Sequence, residues 1–230
     1  MQSNFIVVGQ MRSGSSYLCS SLSSHPDITC HLELLHRKNY NGELSGVYKY
    51  LADSVFSAKT KFRGFKLLSH QMWGHNTVGC YILKSLISSF ECKVIHIVRR
   101  NHLESYVSNL LAKKSNIWNV FDKERVDNHF VMYTPDIIEK YNQKINIKKH
   151  EYDLYCRRAL KSEQFIDQLY PNNFKILYEE MPDKIQDVLK YLGAESVQLY
   201  SGTVKLRNKC LAELIENYDE VLNWSDCGHF

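Results

Sequence analysis

Short apolar runs alternate with amphipathic stretches along the chain. Phe5-Ile6-Val7-Val8 is unbroken and β-branched, the pattern of a strand buried on both faces. Residues 15–24 follow as a helix with Tyr17, Leu18 and Leu22 on one face, and His25-Pro26-Asp27 stops it. Residues 28–35 are mixed, 37–43 form a polar loop, and 47–56 read as helix. Residues 62–68, Phe-Arg-Gly-Phe-Lys-Leu-Leu, predict a second strand with Lys66 near its carboxyl end. Residues 77–89 carry Ile82, Leu83, Leu86 and Ile87 at helical spacing. Residues 93–98, Lys-Val-Ile-His-Ile-Val, are the clearest strand, and 102–113 the helix after it.

Residues 115–134 are irregular and polar with isolated aromatics. Residues 136–169 predict a long, broken helical stretch, and 174–178 a short strand. Pro182 suits a first helical position for 183–192, with Gly193 as the stop. Residues 205–209 are a basic loop, and 211–222 an amphipathic helix with Leu211, Leu214, Ile215 and Leu222 inward. Strands alternating with helices imply an α/β fold: a three-layer, P-loop-like arrangement of a central parallel sheet flanked by helices. No repeat, low-complexity tract or linker divides the 230 residues, so a single domain is expected. In such sheets ligands sit beyond the carboxyl ends of the strands. That rule places residues 9–16, 66–70 and 99–100 on one rim.

The first of these segments, Gly9-Gln10-Met11-Arg12-Ser13-Gly14-Ser15-Ser16, has the spacing G-x-x-x-x-G-K-S/T of a phosphate-binding loop, with Ser15 in the lysine's place. A strand, a glycine-containing loop and a helix N-terminus make an anion site from converging N–H groups and the helix dipole. The lysine is what reaches the β- and γ-phosphates of a nucleoside triphosphate, so a loop without it suits another phosphate donor. Arg12 can supply the charge instead. Ser15 and Ser16 can equally serve as helix caps. Arg100, just past the 93–98 strand, and Ser108, eight residues on, can clasp one phosphate from two sides; Arg100 as a structural ion-pair partner is the plain alternative. Arg99 reads as a surface or sheet-edge residue.

Charge and cysteines narrow the class. Lys+Arg number 29 against Asp+Glu 25, a net +4 that suits a small anionic ligand better than nucleic acid, which calls for a basic stripe with aromatics. Lys113-Lys114 and Lys148-Lys149 read as solvated faces. The seven cysteines form no C-x-x-C pair, so no metal is expected, and reduced thiols in a cytoplasmic chain are. No apolar run has the length of a membrane span, and residues 1–4 lead straight into the first strand with no signal peptide.

The strand–Arg–x7–Ser pattern at Arg100 and Ser108, together with Arg12-Ser13-Gly14-Ser15-Ser16, resembles the sulfotransferases that use 3′-phosphoadenosine 5′-phosphosulfate. The resemblance implies that Arg12, Ser13, Gly14, Ser15 and Ser16 hold the 5′-phosphosulfate, and Arg100 and Ser108 the 3′-phosphate. Residues 24–35 resemble a segment of the bacterial carbohydrate-type branch in which a glutamate is the proposed catalytic base, and Glu33 falls there; His31-Leu32 departs from the small residue commoner in that branch. Gly64-Phe65-Lys66 resembles the family's central strand, and 203–218 a C-terminal loop and helix that implies contacts from Lys205, Arg207 and Lys209. Residues 115–170 are unmatched and read as an acceptor-side insertion or lid.

What the resemblance implies is an enzyme that moves a sulfuryl group to a hydroxyl on a carbohydrate, glycolipid or other small molecule. It releases adenosine 3′,5′-bisphosphate and needs neither metal nor nucleic acid; a homodimer is compatible with it. Glu33 is the first choice of base, effective with a raised pKa or close contact with the hydroxyl. A solvated loop carboxylate is the alternative. His70 is the rival base, four residues after Lys66 where the phenol and hydroxysteroid branch spaces them by two. His31 and His36 read as structural. Lys66 contacts the sulfuryl group or caps the strand end. Trp73, Trp118, Phe121, Phe130 and Tyr133 line an acceptor groove or pack in core and lid. A P-loop small-molecule kinase and a non-catalytic nucleotide-binding relative remain the alternatives.

Overall fold

The computed structural model describes residues 2–36, 38–40, 43–73, 84–85, 88–122 and 131–224. In chain order the strands are β1 (Ser3–Gly9), β2 (Ile28–His31), β3 (Phe62–Leu68), β4 (Lys93–Val98), β5 (Val120–Phe121), β6 (Val131–Met132) and β7 (Phe174–Leu177). The helices are α1 (Ser15–Leu22), α2 (Val47–Ser54), α3 (Ser69–Trp73), α4 (His102–Ser115), α5 (Pro135–Tyr141), α6 (Lys149–Leu169), α7 (Met181–Leu192), α8 (Leu211–Leu214) and α9 (Tyr218–Leu222). The chain divides into two compact units, Met1–Val98 with Glu163–Ser201, and Arg99–Ser162 with Gly202–Phe230.

The first unit is built on a five-stranded sheet in the order β2-β3-β1-β4-β7, parallel throughout. Its strands read as apolar runs because both faces are covered. Ile6 pairs with Phe65 and Val94, so these side chains share one face. There they join Val8 and Leu67, with Val47 and Leu51 of α2 and Ile166 and Leu169 of α6, in one core. Phe5, Val7, Ile95 and Ile97 are buried on the other face. Lys66, paired with Val7, shares that second face and reaches Ser16 of α1. This is the α/β architecture the alternation of apolar runs predicts.

Local chemistry sets the element ends. Pro182 opens α7, and Gly193, at φ 86, closes it with its N–H on Leu189 and Lys190 oxygens, as expected. Helix α1 stops at Leu22, short of the predicted residue 24, because the Ser23 hydroxyl is recruited by β2: it donates to the Cys30 carbonyl at 2.9 Å and accepts from the Cys30 N–H at 3.2 Å. The first part of the mixed 28–35 segment is therefore a strand. The predicted 77–89 helix lies largely outside the described residues.

In the second unit α4, α5, α8 and α9 gather around Leu103, Val107, Leu111, Tyr141, Ile145 and Leu214. The predicted 211–222 helix is two pieces. Ile215 is extended and bridges Ile145, with Ile145 N–H on the Leu214 oxygen at 2.8 Å and Glu216 N–H on the Ile145 oxygen at 2.9 Å. Bonds made across to Ile145 replace those a continuous helix would make. Leu222, expected inward, is 49% exposed. The same residue 145 lies in the break between α5 and α6. Residues 115–134 hold two two-residue strands, β5 and β6, where an irregular segment was expected.

Among the described residues no helix is long and apolar enough to cross a membrane. Among the described residues Cys19, Cys92 and Cys210 are free thiols, Cys210 exposed at the start of α8, and Cys30 and Cys156 are buried.

Candidate functional site

The loop after β1 is closely built. A Cβ on Gly9 would lie 2.7 Å from the Ile97 carbonyl oxygen, so strand β4 runs hard against it. Ser13, buried, turns back to donate from its hydroxyl to the Gln10 carbonyl at 2.8 Å. Arg12 has φ 63 and Gly14 φ 88. The left-handed region suits glycine and strains arginine, and such strain gathers at ligand-binding loops. Gly14 has a second reason to be glycine: a Cβ there would run into the ring of Tyr178.

Helix α1 starts at Ser15 with Gly14 as its N-cap, with no side-chain cap and no acid in its first turn. Ser15 and Ser16 therefore occupy the first turn, and the capping role open to them in the sequence is not theirs. An eight-residue helix whose amino end lacks side-chain caps presents N–H groups and the positive end of its dipole to an anion.

Lys66 ties this loop to the candidate base. It is 2% exposed. Its Nζ donates to Ser16 Oγ at 2.8 Å and lies 2.7 Å from Glu33 Oε1. Glu33 follows β2 as Lys66 nears the end of β3, and the parallel pairing of those strands brings the two together. Gln71, absent from the sequence reading, completes the arrangement. Its Oε1 accepts from the Leu68 N–H at 3.0 Å, which turns Nε2 toward Glu33 Oε2 at 3.1 Å. Both carboxylate oxygens thus face donors.

Electrostatics follows the geometry. Burial pushes the Glu33 carboxyl up. The Lys66 ammonium, by charge and hydrogen bond, with His70 and His36, outweighs it, so Glu33 titrates below the usual carboxylate range. Of the two conditions named for Glu33 as a base, a raised pKa is not met, which leaves close contact with the hydroxyl: the carboxylate is ionised and held by Lys66 and Gln71. His70, exposed at the start of α3, has its pKa lowered by lost solvation, against Glu33 and with His36 and Lys66. Its ring is neutral near pH 7, as a base requires.

The second unit places the remaining candidates. Arg99, expected at the surface or the sheet edge, is 10% exposed at its side chain; its Nη2 lies 2.7 Å from Glu104 Oε2. Arg207 Nη2 lies 2.7 Å from Glu104 Oε1. Burial raises the Glu104 pKa, but Arg207 and then Arg99 outweigh it, and Glu104 stays ionised. The Ser108 hydroxyl is 3.2 Å from the Tyr141 hydroxyl. Arg100, Lys205 and Lys209 are exposed. Phe121 is fully buried, Trp118 packs on the second unit's core and Tyr133 is 44% exposed; the Trp73 side chain and Phe130 lie outside the described residues.

Gln71, Tyr178 and Glu104 were not singled out in the sequence. Only Glu104 had a local signal, the Asn101-x-x-Glu104 spacing of a helix start, and Asn101 Oδ1 does accept from the Glu104 N–H at 2.9 Å.

No protein-family model matches the chain, and no curated protein matches it. A solved crystal structure of a sulfotransferase from Alicyclobacillus acidocaldarius is similar to it, with a TM-score of 0.49 and 13% identity over 90% of this chain and 87% of that one.

Proposed function

We propose that the protein is a sulfotransferase that uses 3′-phosphoadenosine 5′-phosphosulfate and sulfates an acceptor hydroxyl. The observation that carries this reading is Lys66, whose single ammonium bonds a serine of the anion-binding loop and the carboxylate of the candidate base. The residues present fit a phosphosulfate. The loop has an arginine where it bends, a helix start without side-chain caps, and a buried lysine supplied from β3 in place of the one absent at position 15.

The donor supplies a sulfuryl group already activated on a phosphate leaving group. Arg12, the α1 amides and Lys66 hold the 5′-phosphosulfate end and compensate negative charge there, a preorganised electrostatic role. Glu33 takes the acceptor's hydroxyl proton on a carboxylate oxygen; His70 is the alternative acceptor of that proton. Gln71 and Lys66 keep the Glu33 carboxylate in one orientation. The sequence resemblance assigns the 3′-phosphate to Arg100 and Ser108 and favours a carbohydrate or glycolipid acceptor.

The kinase alternative has one observation in its favour, since Lys66 delivers an ammonium to the loop from outside it. Titrating adenosine 3′,5′-bisphosphate and ATP separately against thermal stability decides between them. A ligand at a hundred times its Kd stabilises by about 2.7 kcal/mol, roughly 5–10 °C for a chain of this size. The bisphosphate is expected to give that shift and ATP little. Equal shifts favour the kinase, and no shift with the bisphosphate removes the sulfotransferase reading.

A further inference from the structure

The part of α6 that belongs to the second unit has two unlike sides. Inward, Tyr152 and Tyr155 pack on that unit's core, and Cys156, Ala159 and Ser162 are buried. Outward, Leu154, Arg157, Arg158 and Lys161 follow the spacing i, i+3, i+4, i+7, so they form one stripe along the helix, with Leu160 at its border. All five are exposed, Leu154 at 41% and Leu160 at 42%.

The charge of this stripe is uncompensated. The nearest acids along the helix are engaged elsewhere: Glu151 with Lys148, Asp153 with Lys149 and Glu163 with Lys175. Residues 154–162 hold no acid. Among the described residues Arg157, Arg158 and Lys161 make no ion pair or hydrogen bond. The leucines are the second feature. The outer face of a surface helix is ordinarily polar, yet here one leucine stands a turn before the arginines and another beside Lys161.

Together the two features select a partner. Three cations complement an anionic surface, and two leucines call for an apolar layer just beneath that charge. A bilayer with anionic headgroups has both at one flat boundary. The convex side of a single helix meets such a boundary along its length, about 10 Å from residue 154 to 161. Arginine and lysine stems lie along the apolar layer and keep their charged ends among the phosphates. A nucleic acid or an acidic chain segment carries the charge without the layer.

We propose that the outward stripe of α6, made by Leu154, Arg157, Arg158, Leu160 and Lys161, rests on the surface of an anionic lipid bilayer. The contact is peripheral and reversible; the helix lies on the membrane and does not span it. It stands independently of the donor reading.

Vesicle flotation of the full chain tests it. The probes are phosphatidylcholine vesicles with about 30 mol% phosphatidylserine and vesicles of phosphatidylcholine alone. The wild type is expected to partition at least about tenfold more strongly into the anionic vesicles, and less so as salt is raised. Each basic residue at such a surface is worth on the order of fivefold, so the triple variant Arg157→Gln, Arg158→Gln, Lys161→Gln should lose about a hundredfold. Leu154→Ser with Leu160→Ser leaves the charge untouched and should lose about tenfold. A charge-matched control, Lys49→Gln, Lys59→Gln, Lys190→Gln, removes three exposed cations of the first unit and should lose less than about threefold.

No partition of the wild type, or equal partition into the two kinds of vesicle, overturns the proposal. So does a control variant that loses as much as the α6 triple variant, since any three cations would then serve. A leucine variant that partitions like the wild type also overturns it. Poly-glutamate bound as tightly as the anionic vesicles, with the leucine variant unaffected, assigns the stripe to an acidic protein instead.

Discussion

Lys66 and Glu33 form a buried ion pair, nitrogen to oxygen 2.7 Å, at the carboxyl ends of two adjacent parallel strands. Removing one partner of such a pair leaves the other charge uncompensated, at a cost of about 3–5 kcal/mol. Glu33 keeps some solvent contact, so Lys66→Met is expected to cost about 3 kcal/mol, near the lower end. The double variant Lys66→Met with Glu33→Gln should recover most of it. Urea unfolding of the four proteins measures this; a fully additive cycle contradicts the pairing.

The same pair sets an acid limit. Glu33 has a folded pKa below its ordinary 4.5, so it contributes stability that is complete above 4.5 and is lost as pH falls through the folded value. The stability difference between wild type and Glu33→Gln should hold steady near neutrality and shrink in acid. A difference that widens as pH falls towards 4.5 means the carboxyl is raised instead.

His96 gives a separate window. It is 2% exposed, with Nδ1 3.0 Å from Asp167 Oδ1. Burial lowers its pKa below 6.5 despite Asp167, so the ring is neutral at pH 7 and its bond to Asp167 is that of a neutral N–H. A depressed pKa contributes stability above 6.5 that is lost as pH falls through the folded value. Melting curves of wild type and His96→Gln should diverge in slope below pH 6.5, the wild type falling more steeply. Parallel curves refute the assignment.

Gly14→Ala meets two penalties, a left-handed backbone at φ 88 and the Tyr178 ring. The first alone costs about 1–2 kcal/mol. Adding Tyr178→Ala should relieve the clash and leave the backbone cost. A single variant as stable as the wild type would show that the loop takes another shape.

Arg12→Gly separates stability from binding. Glycine relieves the strain at φ 63 and adds unfolded-state entropy, so folding stability should be unchanged or higher by up to about 1 kcal/mol. Affinity for adenosine 3′,5′-bisphosphate should fall about tenfold or more with the lost guanidinium. A variant that binds as well as wild type excludes Arg12 from the anion site.

The parallel sheet, the loop and the separate candidacies of Lys66 and Glu33 were largely legible in the sequence; that the two pair was not. Each rests on a local pattern: an apolar run, a glycine spacing, a residue at a strand end. What escaped depends on distant partners. Arg99 looked like a surface residue because Glu104's second ligand, Arg207, is a hundred residues away. The 211–222 stretch has helical spacing, and nothing local to it announces Ile145. Gln71 was invisible because its value lies in the Leu68 N–H, which a sequence shows for every residue alike.

Cys210 stands exposed one residue past the 205–209 segment, while Cys19, Cys30 and Cys156 are buried. With Cys80, Cys92 and Cys227 replaced by serine, a maleimide dye coupled there would report on the loop carrying Arg207. Seating of an oxyanion could be followed optically, in real time, before any acceptor has been identified.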